Sequence, residues 1–369
     1  MKRKIAISPK ETLLLAVSII VCLLLMEGVL RVRDFLNRNV RYAHNLEFET
    51  MDVLNADEFR GVRVSPELTT GHGNIFVIGD SFMYGVGVSQ EQSIPVTLEN
   101  SLSKEKCPVS VFNLGIPGAG PTNYAKTAAE YRQYTPDVVI VGLYLGNDIQ
   151  AKESPAPPKP MSIVKKIRAL IGNSAIVKSV SALLRSIRAG LFHECVIANE
   201  TGVDILSYHL PKTLEAAMCD GRMNPHMLSR GALGDNDAYF QELTRRFTED
   251  PTTKDSLLAV RNAFPTSKFL LLVIPSKFQV NKAYLQPMKE LGYVFADENV
   301  VRRTLQDAVI AWARREGIET IDLLPLMFTK ERQDGIRLFY QYDEHPNQQG
   351  AEFIAGILSR TIQKKDICQ

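Results

Sequence analysis

Three short runs of almost purely apolar residues stand out from Asn74 onward: Asn74-Ile75-Phe76-Val77-Ile78, Val109-Ser110-Val111-Phe112-Asn113, and Asp137-Val138-Val139-Ile140-Val141-Gly142-Leu143. Lys268-Phe269-Leu270-Leu271-Leu272-Val273-Ile274 gives a fourth and Glu319 to Leu323 a fifth. Runs of this length, rich in β-branched residues and apolar on both alternating positions, predict strands buried on both faces. Helical spacing of apolar positions separates them, around Ile94–Leu102, Asn123–Arg132, Val300–Arg315 and Gln349–Gln363. Strands that alternate with helices in this way predict a three-layer α/β/α sandwich on a parallel five-stranded sheet. A ligand site is expected beyond the carboxyl ends of its strands.

Two segments break the pattern. Residues 151–255 open with Pro155-Ala156-Pro157-Pro158-Lys159-Pro160, which can be neither helix nor central strand, and so read as an insertion. Between Glu153 and Glu194 it carries seven Lys/Arg and no Asp/Glu, with Ile163, Ile167 and Leu170, then Ile176, Val180, Leu183, Ile187 and Leu191, at helical spacing. Two short basic amphipathic helices are expected, either an ordinary solvated face or one that rests on anionic lipid. The other segment is the start of the chain. Lys2, Arg3, Lys4 and Lys10 precede an uncharged run from Leu13 to Met26. No small-x-small cleavage site follows it, so the reading is an uncleaved transmembrane anchor over 1–33 rather than a signal peptide. The basic residues place the short tip in the cytoplasm and the remainder outside it, in an inner-membrane, single-pass, periplasmic arrangement. Residues 34–73 read as a stalk and lead-in, and 74–369 as the folded domain.

Composition narrows the class. With 45% hydrophobic and 23% charged residues the chain is globular, and a formal charge of +2 with no basic block interleaved with aromatics argues against nucleic acid as a partner. Cys22 lies in the apolar run; Cys107, Cys195, Cys219 and Cys368 remain, and a Cys195–Cys219 disulfide and free buried thiols are both open readings. His72, His193, His209 and His226 show no converging ligand spacing, so no metal is expected.

The chemistry-bearing positions fall at the predicted strand ends. Gly79-Asp80-Ser81 follows the first strand, where glycine permits a tight turn and a serine hydroxyl would stand at the mouth of the sheet, although Asp80 and Ser81 could equally cap a helix. Asn113-Leu114-Gly115-Ile116-Pro117-Gly118-Ala119-Gly120 follows the second, Leu145-Gly146-Asn147-Asp148 the third, and Tyr342-Asp343-Glu344-His345-Pro346-Asn347 precedes the last helix. Asp148 reads as a brace of its loop or a substrate contact. Met83 and Tyr84 read as walls or floor of the pocket.

In this ordered set the chain resembles the SGNH hydrolases, the GDSL esterase/lipase superfamily, over about residues 74–150 and 268–362. The resemblance implies Ser81 as nucleophile, His345 as general base, Asp343 as the orienting carboxylate, and an oxyanion hole from Ser81, Gly115 and Asn147, with no cofactor. Many relatives place the acid three residues before the histidine; here that position is Tyr342, the acid stands two before, and Glu344 is the alternative. The implied function is hydrolysis or transfer of a small acyl group, such as acetyl, on an extracytoplasmic glycan or lipid. A lysophospholipase or lipase at the membrane surface, sensitive to Lys165, Lys166 and Arg168, and a catalytically silent glycan-binding scaffold are the alternatives.

Overall fold

The computed structural model describes residues 73–105, 108–149, 212–219, 236–292 and 303–367, shorter pieces at 40–42, 51–53, 59–61 and 64–65, and single positions 15, 18, 22, 25, 26 and 222. The chain divides into two compact units, 1–39 with 154–196 and 40–153 with 197–369; the elements below belong to the second.

Strands β1 (Val40–Tyr42) and β2 (Met51–Val53) form a small antiparallel ribbon. The main sheet contains β3 (Gly73–Gly79), β4 (Val109–Gly115), β5 (Val138–Tyr144), β6 (Lys268–Ile274) and β7 (Glu319–Asp322). Its spatial order is β4-β3-β5-β6-β7, and each neighbouring pair is parallel. The five strands expected from the apolar runs are these, within two residues at either end. β3 lies between the strands that follow it in sequence, so the strand order reverses at β3/β5. Loops leaving the carboxyl ends there diverge to opposite faces and open a crevice.

Strand alternation builds two cores. Ile75, Val77, Val138, Ile140, Leu270, Leu272 and Ile274 face one side, with apolar residues from helices Ile94–Glu105, Leu323–Asp334 and Gln348–Thr361. Phe76, Ile78, Val139, Val141, Leu143, Leu271 and Val273 face the other, with helices Pro121–Tyr131, Asn236–Glu249, Thr252–Ala263 and Thr304–Arg315. Both faces of a parallel sheet are thereby covered, and the fold has three layers. Each fully buried Leu, Ile, Val or Phe contributes about 1.5–3 kcal/mol, and these side chains supply most of the drive to fold.

Three features differ from the sequence reading. Helix Asn236–Glu249, within the stretch read as insertion, packs on the domain through Leu243 and Phe247, whose ring meets Trp312 edge-on. Helix Leu323–Asp334 follows β7 without a connecting loop, started by Asp322, whose carboxylate accepts from Leu324 N. Residues 34–73 include more than a stalk: Phe59, Arg60 and Val64 are buried. The basic helices at 163–191 and Cys107, Cys195 and Cys368 lie outside the described residues, as does the side chain of Cys219. Among the described residues no helix is long and apolar enough to cross a membrane; most of the Leu13–Met26 run falls outside them.

Candidate active site

β3 ends at Gly79, and the chain turns at once into the short helix Ser81–Tyr84. Asp80 starts this helix: its carboxylate accepts from Phe82 N at 2.9 Å. The helix stops at Gly85, whose φ of +87° only glycine adopts without strain. Such a tight exit needs room. A Cβ on Gly79 would stand 2.4 Å from Met83 Cγ, and one on Gly115 would stand 2.4 Å from the backbone nitrogen of Tyr84. Met83 is thus the floor under the turn, and glycine at 115 lets the end of β4 lie against the helix.

On the opposite rim, Asn347 caps helix Gln348–Thr361 by accepting from Gly350 N, and the loop before it carries Asp343 and His345. The structure brings these two together with Ser81. Ser81 Oγ lies 2.7 Å from His345 Nε2, and Asp343 Oδ1 lies 2.5 Å from Nδ1 of the same ring. Asp343 Oδ1 also accepts from His345 N at 2.9 Å, which fixes the carboxylate against the imidazole. Glu344, the alternative acid, points elsewhere: its Oε2 accepts from Tyr144 OH at 2.9 Å. The two-residue offset is therefore the one that reaches the ring. All three side chains are buried, Asp343 completely. Phe82 stacks on Tyr144 with ring centroids 4.1 Å apart and lies 5.0 Å from the His345 ring, so aromatic surface walls the site.

Burial penalises the imidazolium of His345, but the charge and hydrogen bond of Asp343, with lesser help from Glu344 and Asp80, outweigh it and hold the ring's pKa above its ordinary value. A histidine so placed readily takes a proton from a hydroxyl, and the carboxylate behind it stabilises the resulting charge.

The loops after β4 and β5 complete the crevice. Gly115 N–H, expected to face a developing oxyanion, donates instead to Asn113 Oδ1 at 3.0 Å, while Asn113 Nδ2 donates to Tyr84 O. That amide is spent on bracing the end of the strand, and Gly115 serves through its missing side chain. The next amides are also accounted for: Ile116 N bonds Gly79 O, Ala119 N bonds Ile116 O, Gly120 N bonds Asn123 Oδ1, and Pro117 has none. Gly118 N–H is the one left without a partner among the described residues. It sits at φ +75°, exposed, at the third position of an Ile116–Ala119 turn whose second residue is proline, the signature of a type II turn. That Pro-Gly pair was the available sequence signal. After β5, Asn147 is half-buried, its Oδ1 without a hydrogen-bond partner. Asp148 braces its loop: Oδ2 accepts from Tyr144 N and Tyr124 OH, both at 2.8 Å. Burial, with Asp148 beside it, pushes the Tyr124 phenol well up, so it remains a donor.

Arg60 is a feature the sequence reading missed. This arginine is 2% exposed and donates to three carbonyls around the turn that leaves the Ser81 helix: Gly85 O at 2.5 Å, Val88 O at 2.7 Å and Tyr84 O at 3.3 Å. Nothing in the polar text around residue 60 marks it, because its partners are backbone atoms. His72, His193, His209 and His226 lie outside the described residues.

A serine, a histidine and an aspartate stand in one hydrogen-bonded row at the switch point of a doubly wound sheet. Ser81, Asn147 and His345 stand in the order that the sequence's resemblance to the SGNH hydrolases implies. No family model matches the chain, and no curated protein matches it. Solved structures similar to it include a member of the lipolytic protein G-D-S-L family from Veillonella parvula DSM 2008, at 11% identity over 77% of this chain and 94% of that one, with a TM-score of 0.37. An extracellular lipase from Streptomyces rimosus is 12% identical over 79% of this chain and all of that one, with a TM-score of 0.42. A two-domain esterase active on acetylated mannans is 10% identical over 78% of this chain and 48% of that one, with a TM-score of 0.40.

Proposed function

We propose that the protein is a serine-dependent carboxylic ester hydrolase, or an acyl transferase built on the same chemistry. The observation that carries this reading is the row Asp343–His345–Ser81, closed at 2.5 and 2.7 Å. Ser81 Oγ attacks the ester carbonyl while its proton passes to His345 Nε2. Asp343 holds Nδ1–H and stabilises the imidazolium. The carbonyl oxygen becomes an oxyanion, met by the N–H groups of Ser81 and Gly118 and the side-chain amide of Asn147. Collapse breaks the bond to the alcohol oxygen, which leaves with the proton from Nε2, and Ser81 remains acylated. Water, or a sugar hydroxyl in the transferase case, then gives a proton to Nε2 and attacks the acyl carbon; collapse breaks the bond to Ser81 Oγ, which takes that proton from Nε2.

The substrate class proposed is a small acyl group, such as acetyl, on an extracytoplasmic glycan or lipid. Its support is the order of basic residues and apolar run at 2–26, which suits a membrane anchor with the enzyme on the far side. Leu15, Leu25 and Met26 are helical and more than half exposed, as lipid-facing side chains would be. Digestion of residues beyond 34 in spheroplasts whose inner membrane is intact is the expected outcome, and protection until that membrane is lysed overturns it.

The chemistry is tested by a fluorophosphonate probe on the full chain. Wild type should label, Ser81→Ala should not, and His345→Ala should label at least about 10³-fold more slowly. Wild-type protein that stays unlabelled overturns the proposal. Released acid measured on an acetylated glycan, with and without an acceptor sugar, separates hydrolysis from transfer.

A further inference from the structure

Lys277 is fully buried, an environment lysine almost never occupies unless its charge is met. It lies just past the carboxyl end of β6, as the first residue of helix Lys277–Val280. Its ammonium has three N–H groups. Those donors reach three carbonyls of a single loop: Gln341 O and Asp343 O at 2.9 Å, and Tyr340 O at 3.4 Å. The faces of Phe278 and Tyr284 lie 5.2 and 5.5 Å from Nζ and add cation–π attraction. The bonds of the same loop's other backbone groups show what is special about this contact. Leu338 N donates to Glu331, Phe339 N to Tyr284 OH, and Tyr340 N to His345 O. Those contacts hold the loop's entrance. Lys277 alone among them reaches Asp343.

We infer that Lys277 is a positioning residue of the active site: its buried ammonium gathers the Tyr340, Gln341 and Asp343 carbonyls and thereby sets where the Asp343 carboxylate and the His345 ring stand relative to Ser81. It touches neither substrate nor the reacting atoms. The inference rests on the serine-hydrolase reading above. Its physical basis is that the loop has no regular secondary structure of its own between Tyr340 and Asn347, so its carbonyls need donors from elsewhere. A shift of the loop opens the 2.7 Å gap between Nε2 and Oγ, where displacements of about 1 Å cost on the order of a hundredfold in rate. Substrate binding, which uses other surfaces, is little affected.

The test uses the full chain and p-nitrophenyl acetate. Lys277→Met keeps the length of the side chain and removes charge and donors; Lys277→Arg keeps both; Lys277→Gln keeps two donors without charge. The expected result is a Met variant with a cooperative melt and a kcat about 10- to 100-fold lower, KM within about threefold, and the Arg variant between it and wild type. A folded Met variant whose kcat stays within about fivefold of wild type overturns the inference, as does a change confined to KM. If Lys277→Met does not fold, the Arg and Gln variants carry the same comparison. Failure of all three to fold also overturns it, because the ammonium is then a core element and not a separable part of the site. Fluorophosphonate labelling of wild type and Ser81→Ala runs alongside. Loss of labelling in wild type sinks the serine-hydrolase reading itself, whereas labelled wild type beside an unimpaired Lys277→Met sinks only the role of Lys277.

Discussion

Replacing Asp343 by asparagine separates the roles the structure gives to two adjacent acids. One oxygen of Asp343 accepts both the backbone N–H and the Nδ1–H of His345, at 2.9 and 2.5 Å. Asparagine has a single acceptor oxygen and no charge. Where the amide NH₂ takes the place of that oxygen, it faces Nδ1, which must then be the unprotonated nitrogen. The ring proton moves to Nε2, the atom that has to accept from Ser81 Oγ at 2.7 Å. The variant loses a charge-assisted hydrogen bond in either orientation and, with the NH₂ inward, holds the wrong tautomer. In a comparable triad this change costs about 10⁴ in kcat, or about 5 kcal/mol of barrier. Glu344→Gln should leave kcat within about threefold, because that carboxylate bonds Tyr144 OH and not the imidazole. Both are read from initial rates of p-nitrophenyl acetate hydrolysis, with folding checked by circular dichroism. Asp343→Asn within tenfold of wild type, together with a severe loss in Glu344→Gln, would refute the assignment of the acid.

The wild-type pH profile follows from His345. In the proposed mechanism the neutral ring is the base, and Asp343 holds its pKa above the ordinary value, so kcat/KM should fall as pH drops through a point above about 6.5. In Asp343→Asn the raising influences of the carboxylate go while burial stays, and the acid limb should move to lower pH on a reduced plateau. Asn147→Ala should lower kcat about 10²- to 10³-fold with KM little changed, as loss of an oxyanion donor does; unchanged kcat removes Asn147 from the site. Gly115→Ala drives a Cβ into the Tyr84 backbone and should destabilise by about 2–3 kcal/mol, measured by urea unfolding; a neutral result would mean that the helix after Ser81 can shift aside. Arg60→Met strips donors from three carbonyls at the turn and should cost about 2–4 kcal/mol by the same measurement.

How much was legible beforehand depended on the kind of contact. The resemblance to a known family pointed to the aspartate two residues before His345, yet only coordinates show why: Glu344 is turned to Tyr144, which sits 200 residues away. Gly115 was read as an amide donor because glycine after a strand suits either an open N–H or a close approach. The choice between them was made by Asn113, whose side chain reaches back to that amide. Helix Leu323–Asp334 escaped notice because its apolar residues merge with those of β7, and periodicity cannot divide a strand from a helix that follows without a gap.

What the sequence by itself determined is the layered sheet and the order of its parts. Apolar runs of five to seven residues must be buried on both faces, and helical spacing between them leaves few alternatives to a parallel sheet with covered sides. What only the tertiary structure decided is which groups meet. Strand order puts β3 between β4 and β5, and this places Ser81, the Gly118 turn and Asn147 around one crevice. The placement of Arg60 and Lys277 could not be read from the chain, since a buried cation that bonds to carbonyls depends on where distant backbone passes and leaves no pattern in the residues themselves.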